Sequence, residues 1–180
     1  MLLAKELPLL DIKLKEGIVY PTPSNYTIIR YPISDILELN FIKELENLGM
    51  GLREVQLFIS PPYSAGKIHI DGHRLDMDAA AINCVVNNNN DWEMQWFTVD
   101  NFEEVKKLTS SGNTNYILLT DNQCSLKYTF KSIYPFIVQV GVAHRVINLS
   151  NRHRYCISLR FKQNDFSTIL KHAEQYYATP

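Results

Sequence analysis

From Leu52 to Phe161 the chain is a succession of about eight short runs rich in β-branched and aromatic residues, separated by turn-forming stretches. The runs are residues 52–60, stopped by Pro61-Pro62; 66–71, where apolar and polar residues alternate; and 79–87, closed by Asn87 to Asn90. Residues 92–99, 125–130, 136–140, 143–149 and 155–161 follow. Strands this short bury their apolar faces only by closing into a sandwich or a barrel. Helical spacing predicts three helices around that core. Ser34 is placed to cap one over residues 35–48, with Ile36, Leu37, Phe41, Ile42, Leu45 and Leu48 on its apolar stripe. Asn101 is placed to cap an inserted helix over 102–109, and a last helix covers 165–177. No repeat and no linker divides the 180 residues, so the expectation is one mainly β domain over 1–180, with its core at about 52–161 and helices flanking it.

Charge narrows the partners. Eighteen basic residues against nineteen acidic ones leave a formal charge of -1, which offers no basic stripe for nucleic acid or an anionic membrane. Lys5 and Glu6 interrupt the N-terminus before any apolar run long enough for a signal peptide, and no run approaches the ~18 apolar residues of a membrane helix. Cys84, Cys124 and Cys156 are odd in number and lack metal-type spacing, which suits a reducing compartment. The expectation is a cytoplasmic protein without nucleic-acid or membrane partners. The sequons at Asn25 and Asn148 carry little weight in that setting.

Chemistry concentrates first in Ile68-His69-Ile70-Asp71. On a strand, His69 and Asp71 share one face and the isoleucines take the other. An imidazole and a carboxylate so placed can fill neighbouring positions around a metal, and a histidine from another strand would complete a facial set that leaves the remaining positions open. Taken alone, such a pair is more often a hydrogen-bonded surface pair than a metal site. Toward the C-terminus, His144 opens one strand-like run, a polar turn follows, and Arg154 opens the next run ten positions later.

In this order of motifs the sequence resembles the iron(II)/2-oxoglutarate-dependent oxygenases, in particular the branch of aspartyl/asparaginyl and free-amino-acid hydroxylases. That family reads His-x-Asp, then a distal His, then Arg or Lys about ten residues on. The resemblance spans most of residues 52–161. It implies a double-stranded β-helix, a jelly-roll or cupin-like barrel, with His69, Asp71 and His144 as iron(II) ligands and Arg154 pairing with the distal carboxylate of 2-oxoglutarate. A guanidinium suits that task, because it stays charged when buried and binds a carboxylate through two parallel hydrogen bonds. The activity implied is hydroxylation by dioxygen of a small polar molecule, such as an amino acid or a peptide side chain. A retained Asp71 favours hydroxylation over halogenation.

The match has departures. Relatives often carry a polar residue at the position of Asn83, near the metal-proximal end of the co-substrate; a buried asparagine bonded to backbone is the alternative. Ala81 stands where many relatives carry arginine. Arg154-Tyr155-Cys156 replaces the common Arg-x-Ser, so Arg154 calls for a hydroxyl donor from elsewhere. Trp92, Met94 and Trp96 share a strand face, and the indoles either shape the substrate pocket or pack in the core. Arg160 shares parity with Arg154; it reaches either a substrate carboxylate or a surface acid at the barrel mouth, and the surface role is the favoured one. His73 is placed in a loop near the entrance, and His153 and His172 are read as solvent-facing. Two other functions stay open: a cupin-type metal enzyme that uses no 2-oxoglutarate, although such sites draw on more histidines than a chain with five supplies readily, and a non-catalytic ligand-binding barrel.

Overall fold

A computed structural model describes residues 2–178 apart from 73–77, 88–89, 101–107, 112–113 and 164, with side chains described outside 108–111, 114–115 and 177–178. The elements in chain order are β1 (Ala4–Glu6), β2 (Thr27–Tyr31), α1 (Ile33–Ile36), α2 (Leu39–Asn47), β3 (Leu52–Ser60), β4 (Ser64–Ala65), β5 (His69–Asp71) and β6 (Ala80–Val85). Then follow β7 (Trp92–Val99), β8 (Leu108–Ser111), β9 (Thr114–Leu118), β10 (Cys124–Phe130), β11 (Phe136–Gln139), β12 (His144–Asn148), β13 (Arg154–Phe161) and α3 (Phe166–Ala178).

The strands form a six-stranded sheet, ordered β1-β11-β6-β13-β3-β2, and a seven-stranded sheet, ordered β10-β7-β12-β5-β9-β8 with β4 also on β12. All described pairings are antiparallel. The core strands alternate between the sheets as the chain advances: β3 in the first, β5 in the second, β6 in the first, β7 and β10 in the second, β11 in the first, β12 in the second and β13 in the first. That winding is the double-stranded β-helix, a jelly-roll barrel. Its outer strands are additions at the edges.

The helices cover the outside of the first sheet. Phe41 and Leu45 of α2, with Phe166, Ile169 and Ala173 of α3, pack with Val55, Leu57, Ile59, Ile82, Ile137, Ile157 and Leu159 in one buried cluster. Each large side chain so buried stabilises the fold by roughly 1.5–3 kcal/mol. Strand alternation then turns Phe58, Asn83, Arg154, Cys156 and Arg160 inward, toward the second sheet.

Three expectations change. The helix over 35–48 is two helices, because the backbone at its centre bonds elsewhere: Lys15 N–H donates to Ile36 O, and Glu38 N–H donates to Lys13 O. Ser34 is accordingly inside α1 and not its cap, which falls at Pro32. Of the helix expected over 102–109, residues 102–107 lie outside the described residues, and Leu108 and Thr109 are in β8, half of a hairpin with β9 that extends the second sheet. Strands β1 and β2 were not anticipated; they dock an N-terminal segment onto the two edges of the first sheet. No helix among the described residues is long and apolar enough to cross a membrane.

Candidate metal centre

Strand β12 begins at His144, whose Cα partner across the pairing is His69 on β5 and, on the other side, Trp96 on β7. The direct pairing of the two histidines brings their rings to 4.3 Å between centroids. Asp71, two residues beyond His69 on the same face, joins them, so that one ligating atom from each of the three lies within 4.8 Å of the others. Asp71 and His144 are buried and His69 is half-buried. Tyr116 of β9, opposite Asp71, stands edge-on to the His69 ring at 5.7 Å.

The hydrogen bonds around the cluster all leave electron pairs pointing inward. Nδ1 of His69 lies 2.9 Å from Lys67 O, and Nδ1 of His144 lies 2.8 Å from Val142 O. A carbonyl only accepts, so each Nδ1 carries the proton and each Nε2 keeps a free lone pair. Burial foremost, with His69 next to it, pushes His144 down to about 3, which keeps that ring neutral. Arg160 Nη1 donates to Asp71 Oδ2 at 2.9 Å. Asp71 Oδ1 has no hydrogen-bond partner and faces His69 Nε2 at 3.4 Å. Burial alone would raise the Asp71 carboxyl, but the neighbouring Arg160 charge foremost offsets this and holds it below the usual carboxylate value. Three acceptors converge with no proton between them. A divalent cation accepted by two imidazoles and a carboxylate fits that arrangement.

The cluster opens into a cavity of about 490 Å³ that also reaches Asn25, Tyr26, Phe58, Asn83, Arg154 and Arg160. Arg154 opens β13 and is 2% exposed, with its guanidinium 4.4 Å above the Trp92 ring. It has no carboxylate partner among the described residues, and its Nε is without a hydrogen bond. A buried cation left this way is strongly biased toward binding an anion. Asn83 lines the same cavity with Oδ1 unpartnered, so it does not serve the neighbouring backbone through that atom.

Several positions differ from the sequence reading. Arg160 is buried and bound to Asp71, not to a surface acid, because the strand carries it inward beside the metal cluster. Met94 lines the cavity, whereas Trp92 and Trp96 from the same face sit in the core: Trp92 stacks on Phe136 at 5.3 Å and Trp96 Nε1 donates to Gln139 O at 2.9 Å. His73 lies outside the described residues. His153 is half-buried, with Nε2 at 3.0 Å from Pro23 O, and His172 is half-buried against Gly49. Cys156 faces the cavity, and the three cysteines are free. Tyr26, Asn25 and Tyr116 were missed: β9, which carries Tyr116, and β2, which Asn25 and Tyr26 immediately precede, were not recognised as strands.

The sequence matches no family model and no curated protein sequence. Among solved structures it is similar to an oxalate decarboxylase from Bacillus subtilis, at 10% identity and a TM-score of 0.40 over 79% of this chain and 27% of that one. It is also similar to an oxalate oxidase, at 14% identity and 0.38 over 85% and 59%. A third is peruvianin-I, described as a cysteine peptidase from Thevetia peruviana latex, at 14% and 0.39 over 87% and 93%. The chain thus spans less than two thirds of that decarboxylase and of that oxidase. The fold assignment rests on the strand order, and the chemistry on the side chains above.

Proposed function

We propose that this chain is an iron(II)- and 2-oxoglutarate-dependent dioxygenase that hydroxylates a small polar substrate, such as an amino acid or a peptide side chain. The observation that carries the reading is the presence, in one cavity, of three inward-facing lone pairs and a buried guanidinium with no acid of its own. His69, Asp71 and His144 would hold the metal, each oriented by the bond its far atom makes. Bound iron(II) would supply open coordination positions and the electrons for activating dioxygen. Arg154 would pair with the distal carboxylate of 2-oxoglutarate through two charge-assisted hydrogen bonds, turning the oxoacid end toward the histidines. Asn83, part-way along the same wall, would bond that end of the co-substrate. Ile28, Phe58, Met94 and Val140 supply apolar walls that exclude water from the reacting atoms and limit the substrate to a small molecule. Retention of Asp71 supports hydroxylation.

A second reading is supported by the same unpaired Arg154. The guanidinium would equally hold a carboxylate belonging to the substrate itself, in a cupin-type metal enzyme that needs no 2-oxoglutarate. Measuring succinate distinguishes the two. Protein loaded with iron(II) in air, given 2-oxoglutarate and a panel of amino acids and short peptides, is expected to release succinate above its substrate-free rate with at least one of them. Absence of succinate throughout, with consumption of a simple carboxylate in its place, would establish the second reading.

A further inference from the structure

The mouth of the cavity carries a charge of its own. Among the residues that line the cavity, Asn25, Tyr26, Ala65 and Lys67 are exposed and the others are buried or half-buried, so these mark where it opens to solvent. Asn25 and Tyr26 precede β2, an edge strand of the first sheet, while Ala65 and Lys67 frame the passage from β4 to β5 in the second. The opening therefore lies between the two sheets. Of its residues Lys67 alone is charged, and it has no ion-pair partner among the described residues.

The interior sharpens the same preference. Lys67, Arg154 and Arg160 bring positive charge to the lining, and Asp71 alone brings negative charge. Asp71 gives one oxygen to Arg160 and turns the other to His69, so among the described residues no carboxylate is left to meet a cation in the cavity. A divalent metal on the histidines and Asp71 would add positive charge, and the two carboxylates of 2-oxoglutarate would be met by that metal and by Arg154. The Lys67 charge is then still uncompensated, in a cleft whose apolar walls focus its field on whatever enters. Its place relative to the metal ligands is fixed on both sides. His69 Nδ1 donates to Lys67 O at 2.9 Å, and Gly66 N–H donates to Val146 O at 2.8 Å. Two residues of chain span at most about 7 Å, within reach of a lysine side chain. We propose that the substrate is an anion and that Lys67 pairs with its carboxylate or phosphate-type group at the mouth, leaving the reacting carbon over the metal. The proposal rests on the reading of the interior as a metal and 2-oxoglutarate site. It narrows the substrate to molecules with a negative group close to the carbon that reacts, and it excludes cations.

The test uses manganese(II)-loaded protein saturated with 2-oxoglutarate and three small probes, acetate, methylphosphonate and methylammonium. Relaxation of their methyl protons by the bound manganese reports which of them enters the cavity. At least one of the two anions is expected to show saturable relaxation, and methylammonium none; the tighter anion tells a carboxylate substrate from a phosphorylated one. Lys67→Met keeps the length of the side chain and removes its charge. It is expected to weaken anion binding about fivefold, the effect of one partly exposed ion pair, with 2-oxoglutarate affinity unchanged. Relaxation of methylammonium equal to that of the anions, anion binding unchanged in Lys67→Met, or an equal loss of 2-oxoglutarate affinity in that variant would overturn the proposal. Wild-type protein that binds 2-oxoglutarate and neither anion overturns the proposal alone. Failure of the wild-type protein to bind 2-oxoglutarate is a different result; it would overturn the reading of Arg154 and this proposal with it.

Discussion

Arg160 Nη1 lies 2.9 Å from Asp71 Oδ2, joining residues 89 positions apart, and the same Asp71 offers Oδ1 to the histidine pair. The arginine therefore acts on the metal cluster through its carboxylate. Arg160→Ala leaves that buried carboxylate without its partner and is expected to destabilise metal-free protein by about 3 kcal/mol. It should also weaken metal binding about 10- to 100-fold, as removing an outer partner of a ligand does. Thermal unfolding with and without a divalent metal checks both effects: the gap from wild type should widen by about 1.4–2.7 kcal/mol when metal is saturating, the linkage equivalent of a 10- to 100-fold weaker site.

Arg154→Ala should behave differently. Of the two buried arginines that line the cavity, Arg160 is paired with Asp71, and Arg154 has no carboxylate partner among the described residues. Metal affinity is expected to stay near wild type, while the half-saturating 2-oxoglutarate concentration rises by orders of magnitude, corresponding to roughly 2–5 kcal/mol. Steady-state succinate assays over a wide co-substrate range measure this. An equal shift in Arg160→Ala, with its metal site filled, would mean that Arg160 holds the distal carboxylate.

What was legible in the sequence was what depends on local geometry. The grouping of His69 with Asp71 follows from strand alternation, and the mainly β architecture follows from the spacing of short runs. The two tryptophans show where such reasoning stops. Their inward direction follows from the same alternation, and Met94 between them does line the cavity. Whether an inward residue meets open space or another side chain depends on the facing sheet, and Trp92 meets Phe136. Arg160 and Tyr26 were opaque for a related reason. The partner of the first and the register of the second are set by contacts across the barrel, which no window of sequence contains. The N-terminal segment also hid β2, a run of only five residues from Thr27 to Tyr31 that follows the prolines at 21 and 23 and ends at Pro32.

The start of α3 gives a prediction about pH. Asp165 Oδ1 accepts from Thr168 N–H at 2.9 Å and from Ser167 Oγ at 3.2 Å, and chiefly the Thr168 bonds lower its pKa from 3.8. A carboxyl whose folded pKa is depressed stabilises the protein above its unfolded pKa, and that contribution is lost as pH falls through the folded value. Asp165→Ala is therefore expected to cost about 1 kcal/mol at neutral pH, a drop in thermal midpoint of about 2–4 °C. The difference from wild type should shrink as pH falls below 3.8 and vanish once Asp165 is protonated in the folded state. A difference that stays constant through that range would show that the carboxylate does not cap the helix.

The central claim is that His69, Asp71 and His144 hold iron(II) in a cavity where Arg154 presents 2-oxoglutarate to it. The most direct test is the visible absorption spectrum of iron(II)-loaded protein titrated anaerobically with 2-oxoglutarate, a measurement that needs no substrate. A weak charge-transfer band should grow to saturation with one co-substrate per chain, be absent in His144→Ala, and require far higher 2-oxoglutarate in Arg154→Ala. No band at saturating 2-oxoglutarate, or the same band in folded His144→Ala protein, would contradict the account.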